Sequence, residues 1–125
     1  MAGKGFRELE VWQLAMDLVE DCYRITRRLP IEERYGLTSQ IRRAAVSIPA
    51  NVAEGHNRRL PKPYRNHVNI GMGSQAELET LLELTVRLQM LPAEALNGID
   101  MVVRRVGQML HGLHRSLKSS ETDED

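Results

Sequence analysis

Cysteine is almost missing from this chain, with Cys22 the only one in 125 residues. A lone thiol excludes an internal disulfide framework and any zinc site built on four cysteines. Aromatics make up 4% of the sequence: one Trp, three Tyr and one Phe. So few rings argue against a broad platform on which single-stranded nucleic acid stacks. No apolar run approaches the roughly 18 residues of a membrane span, so no membrane is expected as a partner. Met1 to Lys4 lead into no apolar stretch of the secretory kind, and the cytoplasm is the expected location. Phosphate-cradling glycine motifs are missing as well, and Gly71-Met72-Gly73 follows no strand.

What remains is a chain of one domain's length, 42% hydrophobic and 27% charged. A domain of this size can bury roughly two-thirds of its unfolded surface and needs no covalent staples. Net charge is zero, but it is unevenly spread. The stretch Glu121 to Asp125 holds four acids and no base, which leaves +4 on the other 120 residues. From Arg24 to Arg65 ten bases face three acids, and nine of the ten are arginine, the side chain suited to bidentate contact with phosphate or carboxylate. This run reads either as a nucleic-acid surface or as a solvated face that also makes ion pairs between subunits.

The periodicity is helical throughout, with no strand alternation and no internal repeat. A first helix is expected over about residues 8–28. Val11, Ala15, Leu18, Cys22, Ile25 and Leu29 recur on it at steps of three and four, with Trp12, Met16, Val19 and Tyr23 beside them. Cys22 thereby reads as a small core residue. A second helix is expected over about residues 36–54, with Gly55 as its stop and a kink at Pro49. Leu37, Ile41, Ala44, Ala45, Ile48 and Val52 lie within an arc of about 100° on it. Gln40, Arg43, Ser47, Asn51 and Glu54 form a polar stripe flanking that arc.

A third helix is expected to open at Pro61 to Pro63 and to end just before Pro92. Gly71 and Gly73 inside it suggest close backbone approach. In its second half Leu78, Leu81, Leu82, Leu84, Val86, Leu88, Met90 and Leu91 spread over roughly 260° of the helical wheel. One core needs less than half of that, so the surplus calls for a second copy of the chain, with Leu84, Val86 and Met90 as subunit contacts. A fourth helix is expected over about residues 93–117, on the heptad Leu96, Ile99, Val103, Val106, Leu110, Leu113 and Leu117. Together these predict an all-α, antiparallel up-down-up-down four-helix bundle over residues 1–118 that forms a homo-oligomer. An acidic, disordered tail is expected over 119–125.

Catalytic and metal signatures are sparse. Bundles that hold two metal ions use Glu-x-x-His pairs, and this chain has none. His111 and His114 are three apart but lack a carboxylate partner in sequence, a weak metal set. No nucleophile and base announce themselves. The expectation is therefore a non-enzymatic protein with no catalytic residue, metal or cofactor. The basic constellation Arg42, Arg43, Arg58, Arg59, Lys62 and Arg65 is the remaining candidate. It falls at opposite ends of the second helix, as a stripe or two patches that an oligomer would repeat as a basic ring.

The stretch from Gly36 to Gly55, GLTSQIRRAAVSIPANVAEG, is distinctive. It closely resembles the signature of a bacterial four-helix-bundle family first noted as reading frames within intervening sequences of 23S ribosomal RNA genes. Phe6, Leu9, Val11 and Trp12 match the family's opening, and Gly73, Ser74, Glu77, Leu78 and Glu79 its third-helix motif. The resemblance covers about residues 6–118 and implies a homopentameric ring with a central channel, in a family with no established enzymatic activity. Accessory proteins of diversity-generating retroelements are similar, basic and pentameric, and bind nucleic acid and a reverse transcriptase. Carried over, that role falls on Arg42, Arg43, Arg58, Arg59, Lys62 and Arg65, with RNA or another nucleic acid as partner. The alternative is a protein-interaction ring, joined to an unidentified protein partner, in which the polar stripe orders subunits or lines the channel and no nucleic acid is bound. Two departures stand out. Gly71 replaces a frequent Ala, and the acidic tail, which could compete for the arginines, has no counterpart.

Overall fold

A computed structural model describes residues 5–124 of the chain, with side chains through residue 120. Four α-helices and no strand make up the described residues: α1 (Glu10–Thr26), α2 (Leu37–Arg58), α3 (Pro61–Arg87) and α4 (Asn97–Glu124). Short 3-10 turns at Gly5–Glu8, Ile31–Glu33 and Ala93–Leu96 precede α1, α2 and α4. Helix α2 packs on α1 and α3, and α4 on α3 and α1, so one core lies between the four.

The apolar positions read from periodicity fill that core. Val11, Ala15, Leu18, Cys22 and Ile25 of α1 are buried with Ile41, Ala44, Ala45, Ile48 and Val52 of α2. Leu78 and Leu82 of α3 meet Ile99, Val103, Val106 and Leu110 of α4 in the same cluster. Each large aliphatic side chain there contributes about 1.5–3 kcal/mol by leaving water. Three polar side chains, Thr26, Gln75 and Thr85, are buried with them. Gln75 donates from Nε2 to the Val103 carbonyl at 3.1 Å, and a Cβ on Gly107 would stand 2.8 Å from that nitrogen. The glycine makes room for the amide between α3 and α4.

Helix ends differ from the sequence expectation. Helix α2 does not stop at Gly55 but runs to Arg58, and Arg59 closes it in a left-handed conformation at φ 67°. Gly55 instead lies where α3 presses on α2, since a Cβ there would fall 2.8 Å from Tyr64 Cδ1 and 2.9 Å from His67 Cβ. The N-terminus of α2 is capped by Glu33, whose Oε1 accepts from the Leu37 amide at 3.0 Å, an anion at the positive end of the helix.

Helix α3 ends at Arg87, earlier than expected. Gln89 takes φ 62°, and the Met90 amide reaches back to the Thr85 carbonyl while the Gln89 amide reaches that of Val86. This is a Schellman closure with Gln where Gly is usual. It removes Leu88, Met90 and Leu91 from the wheel. Leu91 enters the core, and Leu84, Val86 and Met90 pack half-buried against the core of their own chain. Leu88 alone of these is exposed, at 56%. Much of the apolar surplus is thus spent within the chain. Helix α4 begins at Asn97 and continues past Ser119, where a tail was expected to start, through Glu124. Asp125 lies outside the described residues, as do the side chains from Glu121 onward.

Cys22 is fully buried, and burial pushes its thiol up to about 12, with the Asp21 charge adding to the rise. The unfolded thiol ionises first, so folding stability declines as pH rises from 9 toward 12. At pH 8 the native protein is expected to resist a disulfide labelling reagent, and to release one equivalent only in denaturant. Rapid native labelling would show that α1 opens locally.

Candidate nucleic-acid interface

The end of α1 and the first turns of α2 build this site together. Tyr23 and Thr26 stand three apart on α1 and therefore share a face. Thr26 is buried, and its hydroxyl donates to the Cys22 carbonyl at 2.7 Å. Its remaining lone-pair capacity accepts from Arg42 Nε at 2.9 Å. The Arg42 guanidinium lies over the Tyr23 ring, 4.3 Å from its centroid. Arg42 is thus tied to α1 through Nε and one face, and Nη2 donates a long bond to the Tyr23 carbonyl at 3.5 Å at the exposed edge. Its neighbour Arg43 is exposed and has no ion pair among the described residues.

Beside them opens a groove of about 610 Å³. Arg34, Arg42 and Arg43 line it, with Tyr23 and Tyr35 and the hydroxyls of Thr38, Ser39 and Ser47. No carboxylate does. The arginines and hydroxyls are the donor types that grip phosphate oxygens. The sequence singles out Arg42 and Arg43 but not Arg34, Tyr23 or Tyr35, which line the same groove. Its spacing puts Tyr23 in an apolar stripe, and only the fold shows that Arg42 covers it.

The other basic residues form a separate patch. Arg58 lies sixteen residues along α2 from Arg42, about 24 Å at 1.5 Å per residue. Arg58, Arg59 and Lys62 are exposed there and Arg65 is half-buried. Beneath this patch Tyr64 stands edge-on to His56, with ring centroids 5.8 Å apart. Its hydroxyl is buried with no hydrogen-bond partner among the described residues, and desolvation raises its pKa.

The polar stripe is engaged inside the chain. Ser47 Oγ lies 2.8 Å from Ser74 Oγ of α3. Asn51 Nδ2 donates to the Ser47 carbonyl at 2.8 Å, and Asn51 Oδ1 faces His67 Nδ1 at 3.1 Å. Glu54 Oε2 is 3.4 Å from the same nitrogen. Two acceptors at Nδ1 place a proton there, and the ladder fastens α2 to α3. Gln40 and Arg43 continue it toward Glu77 around a second depression of about 430 Å³.

His111 donates from Nδ1 to the Gly107 carbonyl at 2.8 Å, which occupies one of its ring nitrogens. Among the described residues no three His, Cys, Asp or Glu side chains gather as metal ligands. Nor is any described helix long and apolar enough to cross a membrane.

Residues 7–112 match the model of a protein family described as 23S rRNA-intervening sequence protein. No curated protein matches the chain.

Proposed function

This chain belongs to the 23S rRNA-intervening sequence protein family, and from that premise we propose a non-enzymatic, homo-oligomeric scaffold that binds RNA through its arginine-rich surfaces in the cytoplasm. One observation carries the reading. Arg34, Arg42 and Arg43 converge on a groove with no carboxylate in its lining, and Arg42 is held in place before any ligand arrives. A guanidinium already fixed loses little side-chain entropy on meeting a phosphate.

The subunit is an antiparallel up-down-up-down bundle. Contacts between α2 and α3 support this, because Ser47 meets Ser74 while the later Asn51 meets the earlier His67. Five subunits in a ring follow from the family resemblance, with Leu84, Val86 and Met90 at the edge of the contact and exposed Leu88 beside them. The ring would present Arg42 and Arg43 on one level and Arg58, Arg59, Lys62 and Arg65 on another. His67 and Glu54, the pair best suited to acid–base work, are committed to the α2–α3 ladder, which supports a binding role over a catalytic one.

The test is fluorescence anisotropy with a labelled structured RNA over a range of salt, with mass measured by light scattering in the same buffers. The expected result is micromolar or tighter binding by an oligomer, with log affinity falling against log salt by about 0.7–0.9 per phosphate contact. An intact oligomer that binds no RNA at low salt would overturn the nucleic-acid reading in favour of a protein-interaction ring. A monomer mass would overturn the scaffold.

A further inference from the structure

The composition argued against a stacking platform, yet the fold gathers two of the chain's three tyrosines in the arginine groove. They differ in state. Tyr23 is covered on one face by Arg42. Tyr35 follows the 3-10 turn before α2 and is 88% exposed, with the Arg34 guanidinium carbon 5.8 Å from its ring centroid. Beside three cations and among hydroxyls, this ring has only the Arg34 guanidinium against it among the described residues, which leaves it open to a stacking partner.

Resting on the RNA-binding reading above, we infer that this groove holds an unpaired nucleotide, its base stacked on Tyr35 and its phosphate gripped by Arg42 and Arg43. Charge selects the occupant, because three arginines without a carboxylate call for an anion. The aromatic ring selects within anions. In an A-form duplex the base faces are buried in the stack and side chains cannot read the deep groove. Away from a duplex end, only an unpaired base can lie flat on Tyr35. Arg34 adds a cationic plane beside that base, and Thr38 and Ser39 lie within the groove as donors to sugar or phosphate oxygens. Thus the arginines set affinity and Tyr35 sets preference for single strands. A second copy of the chain is a poorer occupant, since it would have to bring carboxylates to all three arginines.

The test uses the full chain with a fluorescein-labelled ten-nucleotide uridine-rich single strand and a blunt RNA duplex of equal length, at one salt concentration. The wild type is expected to bind the single strand more tightly. Tyr35→Ala is expected to weaken single-strand binding at least about fivefold, the lower range for one stacked base, with duplex affinity and melting temperature unchanged. Tyr35→Phe is expected to keep the wild-type preference, because stacking needs the ring and not the hydroxyl. Equal loss for both RNAs, or loss for neither, overturns the stacked base while leaving RNA binding in place. A fall in oligomer mass for Tyr35→Ala also overturns it, since the ring would then belong to a subunit contact. Absence of binding to either RNA removes both readings together.

Discussion

Arg43→Glu is expected to lower RNA affinity about tenfold while the melting temperature stays within a degree of wild type, whereas Arg42→Ala is expected to lower both. Adjacent in sequence, the two arginines do different work. Arg43 has no ion pair among the described residues, so reversing its charge removes a phosphate contact and adds repulsion. One lost contact also reduces the salt slope by about 0.7–0.9. Arg42 joins α2 to α1. Its loss removes a hydrogen bond from a charged donor, worth about 1.5–3 kcal/mol, and a guanidinium over Tyr23, worth about 0.5–1 kcal/mol where exposed. It also leaves part of the acceptor capacity of buried Thr26 unused. A destabilisation of about 2 kcal/mol is expected, a fall of roughly 5–10 °C for a domain of this length. Arg42→Lys should recover charge but little stability, because a lysine has neither the Nε–H nor the plane. Thermal melts and anisotropy on the three variants decide the matter. An Arg42→Ala protein that melts with wild type would show that the tie to α1 contributes nothing.

Where periodicity alone sets an element, the sequence was enough. The stripes Val11 to Ile25, Leu37 to Val52 and Leu96 to Leu110 are all core, because a buried helix face must repeat every 3.6 residues whatever it packs against. Helix ends were less legible. Gly55 looks like a stop by composition but is small because Tyr64 and His67 crowd it, and that crowding belongs to α3. Gln89 ends α3 in a conformation usually given to glycine, so no residue type announced the turn. The wide apolar arc shrinks for the same reason, because the chain leaves the helix at Arg87.

The site was legible only in part. Arg42 and Arg43 stood out as cations, but the pairing of Arg42 with Thr26 spans sixteen residues and has no local signal. Tyr35 was invisible because a count of aromatics says nothing about where they gather. The polar stripe is readable as a set of residues, yet its partners Ser74 and His67 lie on α3. A stripe flanking an apolar arc can face a subunit or a neighbouring helix. Here the hydrogen bonds of Ser47 and Asn51 run to the neighbouring helix.

Two glycines that face the same helix pair should respond to the same substitution with opposite signs. Gly55→Ala is expected to destabilise the fold by about 2 kcal/mol, and Gly71→Ala to stabilise it by about 1 kcal/mol. Both changes gain roughly 1 kcal/mol of helix propensity, so the difference lies in the space. At Gly55 a new Cβ would fall 2.8 Å from Tyr64 Cδ1, 2.9 Å from His67 Cβ and 3.1 Å from the Tyr64 carbonyl oxygen. The carbonyl and the Cβ cannot swing aside as a long side chain does, so α2 and α3 must part. Overpacking of that kind costs about 1–3 kcal/mol, and here it also stretches the Asn51–His67 contact four residues away. At Gly71 the nearest atoms are Leu110 Cδ2 at 3.9 Å, with Asn51 Cβ and the Ile48 carbonyl at 4.0 Å. Those are ordinary van der Waals distances, so the added methyl fills space between α2, α3 and α4 without strain. Denaturant unfolding of both variants at matched concentration separates the outcomes. If Gly55→Ala proved as stable as wild type, the α2–α3 spacing would be soft. The ladder from Ser47 to Glu54 would then be what holds the two helices together, rather than their close approach at Gly55.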